Sequence, residues 1–465
     1  MSKTHTSLFL LLLTAAGAGP SLAQQVKNPA ENPAALASVS ARASGAVGDG
    51  KADDTESIQK ALDTGMDVFL PKGTYRISKS LVLKNNSLRG EGQNRTYINV
   101  TGNCHGIIVP NHAFPGREAK DISGFSIGSY GGQAGSKYAI FFEGTPPGNP
   151  ASYNASLNIK DLEIGGKGTF GGGIYLTDAV RITISDVGMT FVNNPLSLIG
   201  SVIQSVISNV TCYREQNFRY QASDGIPNTG VVMDYRKDYA NSKLMGPEST
   251  KLTSCSFVRY DVGVDFRFGL FAVFDKLDID FYATTGFLLR SESCRILNSW
   301  FATETTSAKA VAIRLIPSGF TPGDLFIQNN QINAYNKLHP ASNAIELGDN
   351  GQGPGRFSWG AHITSNMFSG PKGSWNIGIQ ADRTRGIVIR DNVMADGLCN
   401  EAAANLTNCR HGVVSGNIFQ TGIIRISSPF NDGFGSVTDN NAVIEQGTMA
   451  NTSNWSIARN ISFSK

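Results

Sequence analysis

Two short stretches near the N-terminus together predict the fold. Residues 45–62 read GAVGDGKADDTESIQKAL, and residues 68–77 read VFLPKGTYRI. The Asp-Asp-Thr run at 53–55 can cap a helix, and Ile58, Ala61 and Leu62 would lie on one face of it. The second stretch predicts a short strand, a turn at Pro71 and another strand. A single helix followed by short strands is therefore expected here.

This opening module, residues 43–100, resembles the start of proteins in the pectate-lyase superfamily. The matching elements are Gly48-Asp49-Gly50, Asp53-Asp54-Thr55, Ile58-Gln59 and Leu70-Pro71-Lys72-Gly73-Thr74-Tyr75. The resemblance implies an all-β, single-stranded, right-handed parallel β-helix with an N-terminal capping helix. It implies no single reaction, because this fold hosts lyases, hydrolases, epimerases, esterases and binding proteins.

An internal repeat supports the same fold independently of the resemblance. The template apolar-x-(Asp/Asn/Ser)-x-x-apolar recurs with a coil of about 22 to 26 residues, lengthened by loops in places. The copies start at Ile159, Ile184, Ile207, Leu252, Ile296, Ile327, Ile363 and Ile389. About ten stacked coils are expected over residues 43–465. Asparagines at the turns, such as Asn330, Asn366, Asn392 and Asn417, favour stacked amide ladders.

A second template, (Gly/Ala)-apolar-x-apolar, precedes the first in each coil. Alternation along a strand places its intervening residues on the outside, where residues of successive coils stack about 4.8 Å apart. One outward column then contains Phe141, Tyr175, Ser197, Val232, Asp265, Leu288, Arg314, Glu346 and Gln380. The next contains Glu143, Thr177, Ile199, Asp234, Arg267, Arg290, Ile316, Gly348 and Asp382.

The middle coils thus place charged side chains on one wall, which is the candidate catalytic site. Paired carboxylates can process a sugar ring, and arginines can neutralise uronate carboxylates. A solvated charge ladder that only stabilises stacking is the alternative interpretation. The wall residues are Asp234, Asp265, Arg267, Arg290, Arg314 and Glu346.

Two central insertions mix aromatic and basic residues and are candidates for substrate binding, because aromatic faces stack on sugar rings. Ordinary loop packing is the alternative. The candidates are Tyr213, Arg214, Tyr235, Arg236, Lys237 and Tyr239. Asp275, Asp278 and Asp280 form an acidic cluster that could hold Ca²⁺. No Cys-x-x-Cys pair or His–Cys cluster occurs, so no other metal site is expected.

The N-terminus resembles an export signal. Lys3, an apolar run and Ser21-Leu22-Ala23 predict a cleaved signal peptide over residues 1–23, with an uncleaved tether as the alternative. A flexible leader is expected over 24–42. Export implies an oxidising compartment, either secreted or periplasmic. Cys399 and Cys409 bracket a polar run and are predicted to form a disulfide.

The composition restricts the classes of partner that this protein is expected to bind. Only 17% of residues are charged and the net charge is +3. This small basic excess argues against nucleic acid as a partner. No stretch after the signal is long and apolar enough to anchor the chain in a membrane. A polysaccharide, and an acidic one because of the arginines, is the expected partner.

The expected function is cleavage of an acidic polysaccharide by β-elimination, with an arginine neutralising the uronate and Arg290 or Lys237 taking the proton. Hydrolysis, with Asp265 and either Glu346 or Asp234 as acid and base, remains open. A non-catalytic glycan-binding or surface protein remains open as well. Residues 263–269 are similar to the nucleophile strand of pectin methylesterases, which would make Asp265 a nucleophile, but the other segments of that family are absent.

Overall fold

Successive parallel strands build this domain, and each coil of the chain adds one strand to each of three faces. The computed structural model describes residues 38–110, 119–129, 137–144, 156–165, 170–214, 228–236, 246–291, 293–316, 324–348, 358–427, 435–446 and 455–460. The predicted signal peptide (1–23) lies outside these residues, as does the predicted leader up to residue 37.

Face A carries the outward columns predicted above. Each strand pairs in parallel with the next one. Its strands are Leu81–Val82, Ile107–Val109, Lys137–Glu143, Phe170–Thr177, Asn194–Ile199, Thr229–Asp234, Val262–Phe266, Thr285–Leu289, Val311–Leu315, Asn343–Leu347, Trp375–Asp382, Cys399–Thr407 and the second parts of Ile418–Ser427 and Asn441–Gln446.

Faces B and C follow one another along the chain, and four long strands span both: Lys120–Ser129, Leu157–Gly165, Ile182–Thr190 and Val206–Tyr213. Face B also has Val39–Ser40, Val68–Leu70, Leu88–Gly90, Lys251–Thr253, Ala272–Asp275, Cys294–Leu297, Leu325–Gln328, Ala361–Thr364, Val388–Arg390, Gly412–Ser415, Gly435–Thr438 and Trp455–Ala458. Face C also has Asp49–Asp53, Gly73–Ile77, Thr96–Val100, Ser256–Val258, Asp278–Asp280, Trp300–Thr303, Gln331–Ala334, Met367–Ser369, Val393–Met394 and the first parts of the last two face A strands. Ser358–Trp359 and Thr384–Arg385 form a separate small pair.

The predicted parallel β-helix is confirmed, and the stack is taller than the expected ten or so coils. The two sequence templates did not capture the strands of the opening module or the C-terminal coils after Met394. The inward residues of all three faces form one continuous apolar core.

The Asp/Asn/Ser position of the first template is a residue in the left-handed backbone region, and it recurs from coil to coil. Faces B and C meet at this residue, whose φ lies between 51° and 57°. Asp, Asn and Ser dominate the position because their short polar side chains tolerate this backbone region. The residues are Asp161, Asp186, Asn209, Ser254, Lys276, Asn298, Asn329, Ser365, Asp391, Asp439 and Arg459.

The predicted amide ladder is confirmed inside the adjoining turns. Each side-chain Nδ2 donates to the Oδ1 of the asparagine one coil further on at 2.8 to 3.0 Å. Each Nδ2 also donates to a main-chain carbonyl. The buried amides are therefore well satisfied. The ladder runs through Asn330, Asn366, Asn392, Asn417, Asn440 and Asn460.

The opening module contains the only α-helix among the described residues, Thr55–Asp63, after a 3₁₀ turn at Ala41–Ser44. Ile58, Ala61 and Leu62 are fully buried, as the pattern predicts. The carboxylate of Asp54 accepts hydrogen bonds from the backbone N–H groups of Val47 and Gly48 at 2.6 and 3.0 Å. These bonds fix the backbone that precedes the strand Asp49–Asp53.

Gly48 and the N-terminal boundary complete this module. Gly48 has φ +70°, and a Cβ there would lie 2.8 Å from the Tyr75 ring. Glycine is required because it adopts a positive φ without steric cost and because any Cβ at this position would collide with the Tyr75 ring. The described structure begins at Ser38, five residues before the predicted start of the β-helix at residue 43. Val39–Ser40 pairs with Val68–Phe69 and so covers the edge of face B, which shortens the predicted leader.

Candidate functional site on face A

The outward columns of face A have the register that the sequence predicts. Phe141 pairs with Tyr175, Val232 with Asp265 and Arg314 with Glu346. In the second column Ile199 pairs with Asp234, and the Arg267 and Arg290 backbones continue the ladder. The six predicted wall residues therefore do share one face.

Four of them form a connected ion-pair cluster. Nε of Arg267 lies 2.7 Å from Oδ2 of Asp265, and Nη1 of Arg267 lies 3.4 Å from Oδ2 of Asp234. Nε of Arg290 lies 3.6 Å from Oδ1 of Asp265. The Asp265 side chain is only 6% exposed, whereas that of Arg290 is 39% exposed. The carboxylates thus lie beneath the guanidinium groups, which face solvent.

Electrostatics in this cluster favour the charged arginine. Burial alone would lower the pKa of Arg267, but the neighbouring Asp265 and Asp234 carboxylates outweigh it and raise that pKa. Asp234 also accepts a hydrogen bond from the backbone N–H of Tyr235 at 2.8 Å. The cluster is a fixed set of cations supported by nearly buried anions.

Arg314 and Glu346 form a separate group further along the stack. Nε of Arg314 lies 3.4 Å from Oε2 of Glu346, and Lys309 contacts the other carboxylate oxygen. Leu288 stands between Asp265 and Arg314 in the outward column. The single wall predicted from sequence is therefore divided into two ion-paired groups.

A cleft of about 430 Å³ adjoins the first group. Its aromatic side is the stack of Phe141 on Tyr175, whose ring centroids are 5.0 Å apart at an angle of 7°. Aromatic faces of this kind suit the apolar face of a sugar ring. The cleft is lined by Phe141, Glu143, Tyr175, Thr177, Ile199, Asp234, Tyr235 and Arg236.

The predicted substrate-binding residues divide between the cleft and other places. Tyr235 and Arg236 line it, and the Tyr235 ring packs edge-on against Phe268 at 5.7 Å. Tyr213 lies instead on face C. Arg214 is buried over the Tyr260 ring at 5.9 Å, and burial lowers its pKa. Lys237 and Tyr239 lie outside the described residues.

Sequence reasoning missed Asp178, and it left Phe141, Tyr175 and Glu143 in the columns without selecting them. Oδ2 of Asp178 lies 2.8 Å from Nη1 of Arg236, and its Oδ1 accepts the backbone N–H of Ser201. The stacked aromatics were visible as consecutive members of one column. Asp178 gave no such signal, because it occupies a left-handed turn between faces.

The predicted disulfide between Cys399 and Cys409 is wrong. Both residues carry thiols, and the run between them is the strand Cys399–Thr407 rather than a loop. An extended strand of this length separates its ends by far more than the limit of about 7 Å for the Cα atoms of a disulfide. Burial raises the pKa of both thiols to about 12.

The acidic cluster proposed for Ca²⁺ is engaged by protein donors. Asp275 accepts from Asn298, Asp278 from Ser256, and Asp280 from Tyr335 at 3.4 Å. Within the described parts of the chain, no group of three or more His, Cys, Asp or Glu side chains is arranged to hold a metal ion. The same residues contain no helix with the length and apolar character needed to cross a membrane.

The opening module is similar to a known protein family. The family model described as "Rhamnogalacturonase A/epimerase, pectate lyase-like" matches residues 38–124. The predicted resemblance to the pectate-lyase superfamily is therefore confirmed for this module. The match covers only this module, while the strand pairings make the described part of the chain a parallel β-helix, a fold that does not select one reaction.

Curated relatives are phage proteins. The pre-neck appendage protein of Bacillus phage B103 is 28% identical over 203 residues, covering 38% of this chain and 23% of that protein. The preneck appendage protein of Bacillus phage PZA is 29% identical over 93 residues, covering 19% and 11%. The matched part of the chain thus spans less than a quarter of these relatives.

Solved structures are similar over most of the chain. PfbA, a surface adhesin of Streptococcus pneumoniae, has 16% identity and a TM-score of 0.49, covering 89% of this chain and 92% of that one. The A-module of the Azotobacter vinelandii mannuronan C-5 epimerase AlgE4 has 16% identity and a TM-score of 0.44, covering 90% and 99%. Likeness at this level says nothing of function, and the fold rests on the strand pairings described above.

Proposed function

We propose that this is an exported protein that binds an acidic polysaccharide along face A and cleaves it by β-elimination. The observation that carries the proposal is a strip of three arginines beside the aromatic stack. Arg236, Arg267 and Arg290 have side chains 21%, 29% and 39% exposed, and each pairs with a carboxylate that is 1% to 10% exposed. Such fixed cations suit uronate carboxylates, which guanidinium groups can bind through two hydrogen bonds.

The arginines would also supply the chemistry that elimination needs. Removing the proton from the ring carbon next to the carboxylate leaves negative charge on that carboxylate. A fixed cation stabilises this charge, after which the bond to the 4-linked oxygen breaks and a ring double bond forms, and the leaving oxygen takes up a proton from water. Arg290 serves here as a cation because it faces Asp265, which leaves the neutral amine of Lys237, the form present at alkaline pH, as the proposed proton acceptor.

Spacing counts against hydrolysis. Asp265 and Glu346 lie three coil steps apart in one column. Three steps amount to about 14 Å. The two carboxyl groups of a glycosidase lie at most about 9.5 Å apart. Asp234 and Asp265 are closer, but both pair with Arg267, so neither is poised to donate a proton. A nucleophilic role for Asp265 is disfavoured by the same pairing and by its burial.

The test is incubation of the mature protein with polygalacturonate, alginate, glucuronan and a neutral glucan. The ultraviolet absorbance of the unsaturated product and new reducing ends are followed together. Absorbance that rises with a uronate polymer supports elimination. Reducing ends without absorbance would replace elimination by hydrolysis, and binding without either product would make the protein a glycan-binding protein.

Matched variants connect the activity to the strip. Arg290→Ala should lower kcat/KM at least tenfold, equivalent to about 1.4 kcal/mol of transition-state stabilisation. Arg390→Ala removes an exposed arginine from face B and should change nothing. Equal activity of both variants would show that the reaction does not depend on the arginines of face A. N-terminal sequencing of the protein recovered outside the cytoplasm tests export separately.

A further inference from the structure

A second cleft, of about 450 Å³, opens on face C near the N-terminal end of the stack. It shares no residue with the face A cleft. Its lining includes Tyr97, Asn99, Gly128, Glu163, Gly165 and Thr190.

Two glycines create the recess. Asn99, Gly128, Gly165 and Thr190 pair in order, so they form one outward column over four successive coils. Because the two middle positions carry no side chain, the surface is hollow between Asn99 and Thr190. The column spans three coil steps, about 14 Å, which is room for one or two sugar rings.

The neighbouring outward column contributes an aromatic ring and a carboxyl group. Tyr97, Ser126, Glu163 and Gly188 pair in order, and Tyr97 is 42% exposed. A Cβ at Gly188 would collide with the carboxyl group of Glu163, so glycine leaves this group its space. The ring and the carboxyl group thus lie two coil steps apart along the same wall.

Both strong acceptors of the cleft lack protein donors. Glu163 makes no hydrogen bond or ion pair with any residue that the structure describes, and burial raises the pKa of its carboxyl group. Oδ1 of Asn99 is buried and has no hydrogen-bond partner there. A buried polar atom without a partner is costly, so a ligand that donates hydrogen bonds would be stabilised.

Charge separates this cleft from the one on face A. None of its lining residues is a lysine or an arginine, so a uronate carboxylate would contact no cation in the lining and would face Glu163. Arg76, next to Asn99 in the column, donates a hydrogen bond to the Lys51 carbonyl. We propose that the face C cleft binds a neutral saccharide, whose ring stacks on Tyr97 and whose hydroxyl groups donate hydrogen bonds to Glu163 and Asn99. The site goes beyond the proposed function of face A and does not depend on it.

Isothermal titration with maltotetraose, cellotetraose and mannotetraose tests the proposal on the full mature chain. At least one of the three should bind. Tyr97→Ala and Glu163→Ala should each weaken binding about tenfold or more, the loss expected for one stacking or charged hydrogen-bond contact. Glu163→Gln keeps one acceptor and should fall between Glu163→Ala and the unmodified protein.

Controls come from the same outward column further along face C, which continues through Asp278 and Met367. Asp278→Asn and Met367→Ala change an acidic and an exposed apolar side chain outside the cleft and should leave the affinity unchanged. Arg290→Ala should also leave it unchanged, whatever happens to cleavage of uronate polymers. Cooperative thermal unfolding with a melting temperature no lower than about that of the unmodified protein shows that each variant is folded.

Two results would overturn the inference. One is the absence of binding to all three tetrasaccharides. The other is binding that survives both Tyr97→Ala and Glu163→Ala, since the ligand would then lie elsewhere. Loss of binding in Arg290→Ala with no effect of the face C variants would assign the saccharide to face A.

Discussion

Nη1 of Arg236 lies 2.8 Å from Oδ2 of Asp178, although 58 positions separate the two residues in the chain. The Asp178 side chain is 1% exposed and that of Arg236 is 21% exposed. The buried carboxylate therefore fixes a partly exposed guanidinium group at the rim of the face A cleft. This contact connects a turn between faces to the residues that follow the strand Thr229–Asp234, and it positions a cation where the proposed substrate would lie.

Replacing Asp178 with asparagine should destabilise the protein and weaken binding of uronate polymers. The charged hydrogen bond to Arg236 is lost, which costs about 1.5 to 3 kcal/mol. Urea denaturation measures the stability, and KM for the polymer measures the positioning. Glu56→Gln is the control, because the Lys79–Glu56 pair is 73% and 80% exposed. It should change stability by less than about 1 kcal/mol.

Asp265→Asn should be more damaging than the same change at Asp275, a less buried acid. Arg267 and Arg290 both pair with this nearly buried carboxylate. Removing one partner of such a pair costs about 3 to 5 kcal/mol. Asp275→Asn, on face B, provides the comparison. Thermal unfolding of the two variants tests this order, and equal melting temperatures would contradict it.

Asn392→Ala should break the amide ladder in its middle. The variant loses the bonds from Nδ2 to Ile363 and Asn417 and leaves the backbone N–H of Asn366 without its acceptor. Each buried group left unpaired costs about 1 to 3 kcal/mol. Limited proteolysis should reveal faster cleavage near the C-terminal coils. Asn298→Gly removes an exposed side-chain amide at a left-handed position and should have a small effect.

Reducing agent should not change the stability. The cysteines occur as thiols, and the strand between Cys399 and Cys409 holds them apart. Without reductant, the unfolded chain should therefore react at all six cysteines with iodoacetamide. In the folded chain Cys409 should resist alkylation, because it is buried and its thiol pKa is raised to about 12. If Cys399 and Cys409 resisted iodoacetamide in the unfolded chain, the two residues would form the disulfide after all.

Glu163→Gln should raise stability at neutral pH. Burial raises the pKa of Glu163 above its unfolded value, so folding favours the protonated form and stability falls as pH rises through that pKa. The amide has no such penalty. The melting-temperature advantage of the variant should be largest at pH 7 to 8 and should shrink toward pH 4. A constant advantage would show that the carboxyl group does not titrate in the cleft.

Local periodicity made the register of face A predictable, because inward residues must be apolar in every coil and a slip by one residue would bury charges. The same argument predicted the position of Asp265 beside Val232 and the amide ladder through Asn392. It failed at Cys399–Thr407, whose inward residues include alanines. Their small apolar side chains concealed the strand within a polar run.

The sequence by itself determined the parallel β-helix, the opening module and the order of residues in each outward column. These features depend on the alternation of inward and outward residues along each strand and on the recurrence of the strand templates once per coil. Only the tertiary structure decided which charges meet and where the surface is hollow. Arg236 reaches Asp178, and Gly128 lies beside Gly165, because distant turns and neighbouring coils are brought together. Such contacts depend on side-chain reach between coils, which no local pattern contains.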